Sequence, residues 1–399
     1  MLTLSVLVVF GSLGLTRFGY GMVLPEMKTG LAIDNTGAGG MATASLAGYL
    51  TLSVLGGILA TRFGPRIVIT CGLALAALGM ILTGLSNQLA TATASQLLAG
   101  IGSGASNVPV MALLASWFAP RKLGLASGVA VLGSSLGLII TGSVTPLILD
   151  SYNEDGWRVC WFVFGGITAV LAILALGLLH NSAAEAGLKP IGAATEEPIQ
   201  IPTRRSLEWG KVYRARSVWQ IGLVYIAFGL SYIIYMTFFK EQLMEAGDYS
   251  EDSAAYLYMV MGWVSLLCGI WGFVSDRIGR KKTLAILYMI HAVAFTLFGV
   301  WDESYTFIIS IILFGLSAWS IPAVVTAASG EILPPRLAPA ALGFITLFFG
   351  IGQMSGPVAA GAMADAAGSF LPSYLFAGGI ALLGAIGALQ LRSTEPDRS

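Results

Sequence analysis

Stretches of about 20 apolar residues recur from one end of this 399-residue chain to the other, and each is long enough to cross the ~30 Å hydrocarbon core of a bilayer as an α-helix. Twelve can be marked, near residues 4–25, 39–62, 67–87, 91–117, 123–149, 159–180, 217–239, 254–275, 283–301, 304–330, 338–364 and 370–391. Lipid offers no partner to backbone N–H and C=O groups, so only helices and closed barrels span it. The segments are continuously apolar and do not alternate, which argues against barrel strands. Only 11% of the residues are charged, under half the ~25% of a soluble domain. The sequence predicts an all-α membrane protein of twelve transmembrane helices.

The first segment lacks a basic leader and a small-residue cleavage site, so it reads as a mature helix and not as a signal peptide. Cys71, Cys160 and Cys268 are isolated from one another, which suggests neither disulfides nor a metal site. No metal-ligand cluster, nucleophile–base pair or glycine-rich phosphate loop is present. Neither enzymatic activity nor a cofactor, a metal or a nucleic-acid partner is therefore expected. Charge placement sets an orientation. With the N-terminus in the cytoplasm, seventeen basic residues fall in loops or tail on that side, against Lys28, Arg158 and Lys240 on the other. The positive-inside bias predicts both termini in the cytoplasm, in an inner (plasma) membrane.

Sliding the chain by 215 residues against itself gives a gap-free series of matches over more than 120 residues. Tyr20 meets Tyr235 and Glu26 meets Glu241; Gly57, Arg62 and Gly64 meet Gly272, Arg277 and Gly279; Gly128 and Gly137 meet Gly343 and Gly352. Such self-similarity predicts two parallel six-helix bundles related by a pseudo-two-fold axis, with the substrate site between them near mid-membrane. The expected division is a bundle over 1–180, a polar cytoplasmic linker over 181–216 and a second bundle over 217–399.

The segment "GFVSDRIGRKK" (272–282) and its degenerate copy "GILATRFGPR" (57–66) resemble the loop signature of the major facilitator superfamily. "WFAPRKLGLASGVAVLGSSLG" (117–137), "GWRVCWFVF" (156–164) and "AEAGLKPIG" (184–192) are similar to its monocarboxylate and oxalate porters, and "RFGYGMVLPEM" and "YIIYMTFF" to its YbfB-type branch. The resemblance covers essentially the whole chain and implies the major facilitator fold, transport by alternating access, and a cavity lined by helices 1, 4, 7 and 10. It also implies a conformational latch at Gly57, Arg62, Gly64 and Arg66 and at Gly272, Asp276, Arg277, Gly279 and Arg280, holding the halves together when the cytoplasmic side is closed. Thr61 stands where the family has Asp, so the first latch should be the weaker. Gln96 replaces the helix 4 arginine of drug–proton antiporters, and the monocarboxylate porters' helix 8 arginine is absent.

One charge is out of place for a membrane helix. Arg17 lies roughly 20 Å along the first segment by helical rise, too deep to reach the headgroups easily, and a buried cation faces a cavity or a partner. No Asp or Glu lies deep in the other eleven segments, and Glu26, Glu241, Asp150 and Asp365 fall at extracytoplasmic helix ends. A guanidinium offers five donors in a fork that suits a carboxylate, so Arg17 is expected to anchor an anionic substrate. Pairing with backbone carbonyls and snorkelling to the interface are the alternatives.

Helical spacing puts Phe10, Gly14, Arg17 and Gly21 on one face, and the duplication puts Tyr232 opposite Arg17 with Tyr20 and Tyr235 one step round. Gln96 and Asn107 belong to a polar stripe on helix 4, Trp319 and Pro322 shape helix 10, and Gln353 is a further polar candidate on helix 11. The expected substrate-binding set is Arg17, Tyr20, Gln96, Asn107, Tyr232, Tyr235, Trp319 and Gln353. Packing and helix-to-helix hydrogen bonding are the competing roles for the aromatic and amide members. His291 reads as peripheral, and no buried carboxylate is expected to carry a proton, so symport with a coupled proton, uniport and anion exchange all stay open. The sequence thus predicts a monomeric carrier of a small organic anion, a monocarboxylate by preference. A carrier of neutral or cationic compounds, drug efflux included, is the alternative.

Overall fold

The computed structural model describes residues 1–192, 209–332 and 337–391; the middle of the expected linker and the C-terminal tail lie outside them. The described chain is almost wholly helical. Eleven helices are long and apolar enough to cross a membrane, and a bent helix supplies a twelfth. They are α1 (Leu2–Leu31), α2 (Asn35–Phe63), α3 (Pro65–Gly84), α4 (Leu89–Trp117), α5 (Lys122–Tyr152), α6 (Gly156–Leu178), α7 (Arg216–Thr237), α8 (Glu251–Ile278), α9 (Arg280–Val300), α10 (Ser304–Glu331), α11 (Ala341–Ala367) and α12 (Leu371–Leu389). α2 bends by 43° between Ser53 and Leu55. α10 is interrupted between Ser317 and Ser320, and Trp319 sits in the break.

Local chemistry explains the helix ends. Gly64 and Gly279 separate α2 from α3 and α8 from α9 with nearly the same backbone, φ 85° and ψ 143° against φ 89° and ψ 153°. A positive φ of this size is open to glycine alone without strain, which is why both copies of the loop keep it. Asp34 caps α2 by accepting from the Gly37 N–H, and Ser250 caps α8 by accepting from the Ser253 N–H. These positions are 216 residues apart, one off the repeat.

The first six helices meet the last six along two seams, α2 with α11 and α5 with α8. Both seams depend on small residues that let backbones touch. A Cβ added to Gly39 would lie 2.2 Å from the Pro357 carbonyl oxygen, and one on Gly361 2.1 Å from that of Asn35. On the other seam a Cβ on Gly142 would lie 2.8 Å from the Ala255 carbonyl oxygen. These contacts gather at the end of the molecule opposite the chain termini, hereafter the far end. Toward the termini end the halves part: a Cβ on Gly57, Gly128, Gly272 or Gly343 would meet nothing within 4 Å. The cross-half hydrogen bonds seen among the described residues likewise run from the far end to mid-depth, the last being Ser265 to Ser135 at 2.7 Å and Trp319 Nε1 to Ser135 Oγ at 3.1 Å.

Candidate functional site

The segment of α1 that carries Arg17 is not α-helical. Phe10–Phe18 forms a π-helix, whose i→i+5 bonding admits extra residues per turn and which occurs frequently at functional sites. Two neighbouring side chains bond to its carbonyls: Ser103 Oγ on α4 donates to Ser12, and Tyr258 Oη on α8 donates to Phe18 at 3.0 Å. The wider turn breaks the 4-3-4 face expected from the sequence. Gly14 packs against Gly137 on α5, and Gly21 against the Met236 carbonyl on α7. Arg17 faces α2 and α7, so it keeps the α7 side in common with Gly21 but is parted from Gly14.

Its guanidinium donates from Nη1 to Tyr232 Oη at 3.1 Å and lies 4.5 Å over the ring of Tyr49, a cation–π distance. Gln353 Nε2 also donates to Tyr232 Oη. Asn107 Nδ2 donates to Tyr49 Oη at 3.0 Å, while Asn107 Oδ1 is buried without a partner among the described residues. Tyr232 continues into a stack of nearly parallel rings with Phe228 and Phe349. Arg17, Tyr49 and Phe349 are half-buried.

Arg17 and Tyr232 are 215 residues apart, so each is the other's partner under the repeat. Two points related by a two-fold rotation can touch only where both lie near the axis. Their hydrogen bond therefore puts Arg17 on the pseudo-two-fold axis, at the boundary of the two halves. On its far-end side a cavity of about 20 Å³, bordered by Thr16, Tyr20, Ser45, Met236 and Thr237, has room for about one water molecule.

Of the expected binding set, the structure brings Arg17, Tyr232, Gln353 and Asn107 together. Tyr20 borders the small cavity but donates its hydroxyl to the Ala38 carbonyl at 2.6 Å. Trp319 packs at a tilt against Phe18 beside the site, with ring centroids 5.4 Å apart. Gln96 and Tyr235 are elsewhere. Gln96 bonds Thr83 on α3 at 3.3 Å, and Tyr235 bonds Ser310 inside an aromatic cluster with Phe295, Phe298 and Phe314. The π-helix has no counterpart in α7, which is regular over Arg216–Thr237. Tyr49 was not among the expected residues; its signal was being the one aromatic in 39–62.

A family model described as "Uncharacterised MFS-type transporter YbfB" matches residues 9–389. The chain belongs to this family. It is a multi-pass membrane transporter and not an enzyme. Among curated relatives, the probable sulfoacetate transporter SauU of Cupriavidus necator is 22% identical over 94% of this chain and 89% of its own. The oxalate:formate antiporter of Oxalobacter formigenes is 27% identical over 61% of this chain and 55% of its own. Among solved structures, the nucleoside transporter NupG (D323A mutant) superposes with a TM-score of 0.79 at 12% identity, covering 98% of this chain and 100% of that one, a likeness of fold alone.

In this MFS-type chain the expected latch residues bond inside their own halves. Arg280 reaches Asp276 Oδ1 at 2.6 Å and Glu331 Oε1 at 2.9 Å, tying α9 to α8 and α10. In the first copy Arg66 donates to the Leu176 carbonyl, and its backbone N–H to Asn181 Oδ1 at 2.9 Å. Thr61 donates back to the Ile58 carbonyl of its own helix. Arg62 and Arg277 lie over the rings of Phe63 and Phe273. Among the described residues, the bonds seen for these groups all stay within one half or the linker next to it.

Two further expectations are corrected. His291 is not peripheral: it is fully buried among Phe228, Phe295 and Phe314, and neither ring nitrogen has a partner among the described residues. Nor does the expectation of no buried carboxylate hold. Glu241 is 3% exposed and Glu26 is 15% exposed, each paired with a lysine of the other half. Their sequence position is terminal, but the opposing half covers them.

Proposed function

We propose that this transporter carries a small organic anion, a monocarboxylate by preference, with Arg17 as its anchor. The carrying observation is the guanidinium on the pseudo-two-fold axis, held by two tyrosines and with no carboxylate seen beside it among the described residues. Tyr49 and Tyr232 orient the charge without neutralising it, which leaves donors of the planar fork for a carboxylate. Tyr232 Oη accepts from both Arg17 and Gln353, so its own proton is free to reach the same anion. Relatives named for sulfoacetate and for oxalate and formate support an anionic cargo.

In this reading the halves 1–180 and 217–399, joined by the linker 181–216, rock about the site. The termini end faces the cytoplasm of a plasma membrane, as the basic loops require, and the structure is the inward-open state. Arg17→Gln in proteoliposomes should abolish uptake and binding of small carboxylates, a loss of about 100-fold or more for a charge-assisted bidentate contact in a dry site. Arg17→Lys should recover only part, since an ammonium lacks the fork. Undiminished transport in Arg17→Gln would make Arg17 a cross-half structural bond to Tyr232 and leave a neutral or cationic cargo.

A further inference from the structure

Four charged side chains at the far end are not used by the Arg17 site. Glu26 and Lys28 are near the end of α1, while Lys240 and Glu241 lie in the short helix after α7, Phe239–Glu245. They pair crosswise. Lys28 Nζ is 2.8 Å from Glu241 Oε1 and Lys240 Nζ binds Glu26 Oε1, so both bridges join one half to the other. Asn35 also accepts from Lys28, and Glu251 stands 3.9 Å from Lys240. Lys240 is 1% exposed, and the second oxygen of each glutamate is buried without a partner among the described residues.

The repeat pairs Glu26 with Glu241, but it pairs Lys28 with Leu243 and Lys240 with Pro25. Two lysines from non-equivalent positions thus complete the same bridge on either side of the axis, which a simple relic of duplication does not explain. The bridges also have the physics of a two-state device. A buried charge is tolerable while its partner is in place and costly when the partner is removed, and drawing the halves apart at this end would return all four groups to water. Beside them Asp365 of α11 accepts from the Asn35 and Thr36 N–H groups at 3.1 and 2.7 Å, capping α2 across the same boundary.

We propose that the crossed bridges Lys28–Glu241 and Lys240–Glu26 are the gate that shuts the far end, and that they set the resting state in which Arg17 is open toward the termini side. Two buried bridges across the boundary favour closure of the far end while they are intact. The inference rests on the transporter fold and does not depend on the cargo being an anion.

Spin labels at Thr29→Cys and Asp302→Cys, exposed far-end residues of opposite halves, would report the separation by pulsed electron resonance in protein whose three native cysteines are replaced by Ala. Glu241→Gln strands Lys28 and should enlarge the long-distance population about tenfold or more. The exchange Lys28→Glu with Glu241→Lys should restore the parental distribution. If Glu241→Gln does not fold, Glu26→Gln and the exchange Lys240→Glu with Glu26→Lys give the same comparison. A parental distribution in the folded single variants, or no recovery in the exchanges, overturns the gate. Neither readout needs a substrate, so a failed anion assay leaves this test standing.

Discussion

The two ends of this transporter are built from the same helices and stand in opposite states. At the far end Gly39, Gly142 and Gly361 press backbone against backbone, two buried ion pairs cross the boundary, and Asp365 caps a helix of the other half. At the termini end Gly57, Gly128, Gly272 and Gly343 occupy α2, α5, α8 and α11, yet a methyl group at any of them would touch nothing within 4 Å. Gly57 pairs with Gly272 and Gly128 with Gly343 under the repeat. Small residues on both seams therefore equip both ends to close. The charge pairs seen at the two ends differ: Glu26, Lys28, Lys240 and Glu241 pair across the boundary, whereas Arg280 pairs with Asp276 and Glu331 of its own half.

The comparison breaks most strongly at Gly39. Its added Cβ would fall 2.2 Å from a backbone oxygen that cannot move aside, so Gly39→Val should disfavour far-end closure by about 1–3 kcal/mol or more. The far-end distance should lengthen between the spin labels, and turnover should fall by about tenfold or more. Gly343→Val sharpens the contrast. It should leave the thermal stability of this conformation within about 1 kcal/mol, since nothing is displaced, but slow transport severalfold by blocking closure of the termini end. Binding of a substrate to detergent-purified Gly343→Val should be unchanged, which separates blocked movement from a damaged site. The smallest effect is expected at Arg280. Its partners Asp276 and Glu331 are largely exposed, so Arg280→Gln should cost about 1 kcal/mol or less in a melting measurement.

Much of this was legible in the sequence because it is periodic. Segment length gave the spans, and the 215-residue register found the glycine pairs whose backbone angles nearly coincide at Gly64 and Gly279. The same register put Arg17 opposite Tyr232, which bond across the axis. The neighbours were less legible, since a regular 3.6-residue rhythm placed Gly14 beside Arg17 and the π-helix of Phe10–Phe18 turned them apart. Tyr235 shares the repeat with Tyr20, but its ring is buried among phenylalanines of its own half. His291 lost its expected peripheral place in the same way, because burial is a property of the packed bundle and not of one helix.

By itself the sequence determined how many times the chain crosses lipid, that it does so as two related halves, and that one arginine is stranded at mid-depth. These follow from local hydrophobicity and internal repetition, which a linear string records. Only the tertiary structure decided that Glu26 and Glu241 are covered, that Tyr49 lies under the guanidinium, and which end of the molecule is shut. Each of these depends on groups far apart in the chain reaching contact distance, and the free energy of a buried charge is fixed by whatever stands beside it.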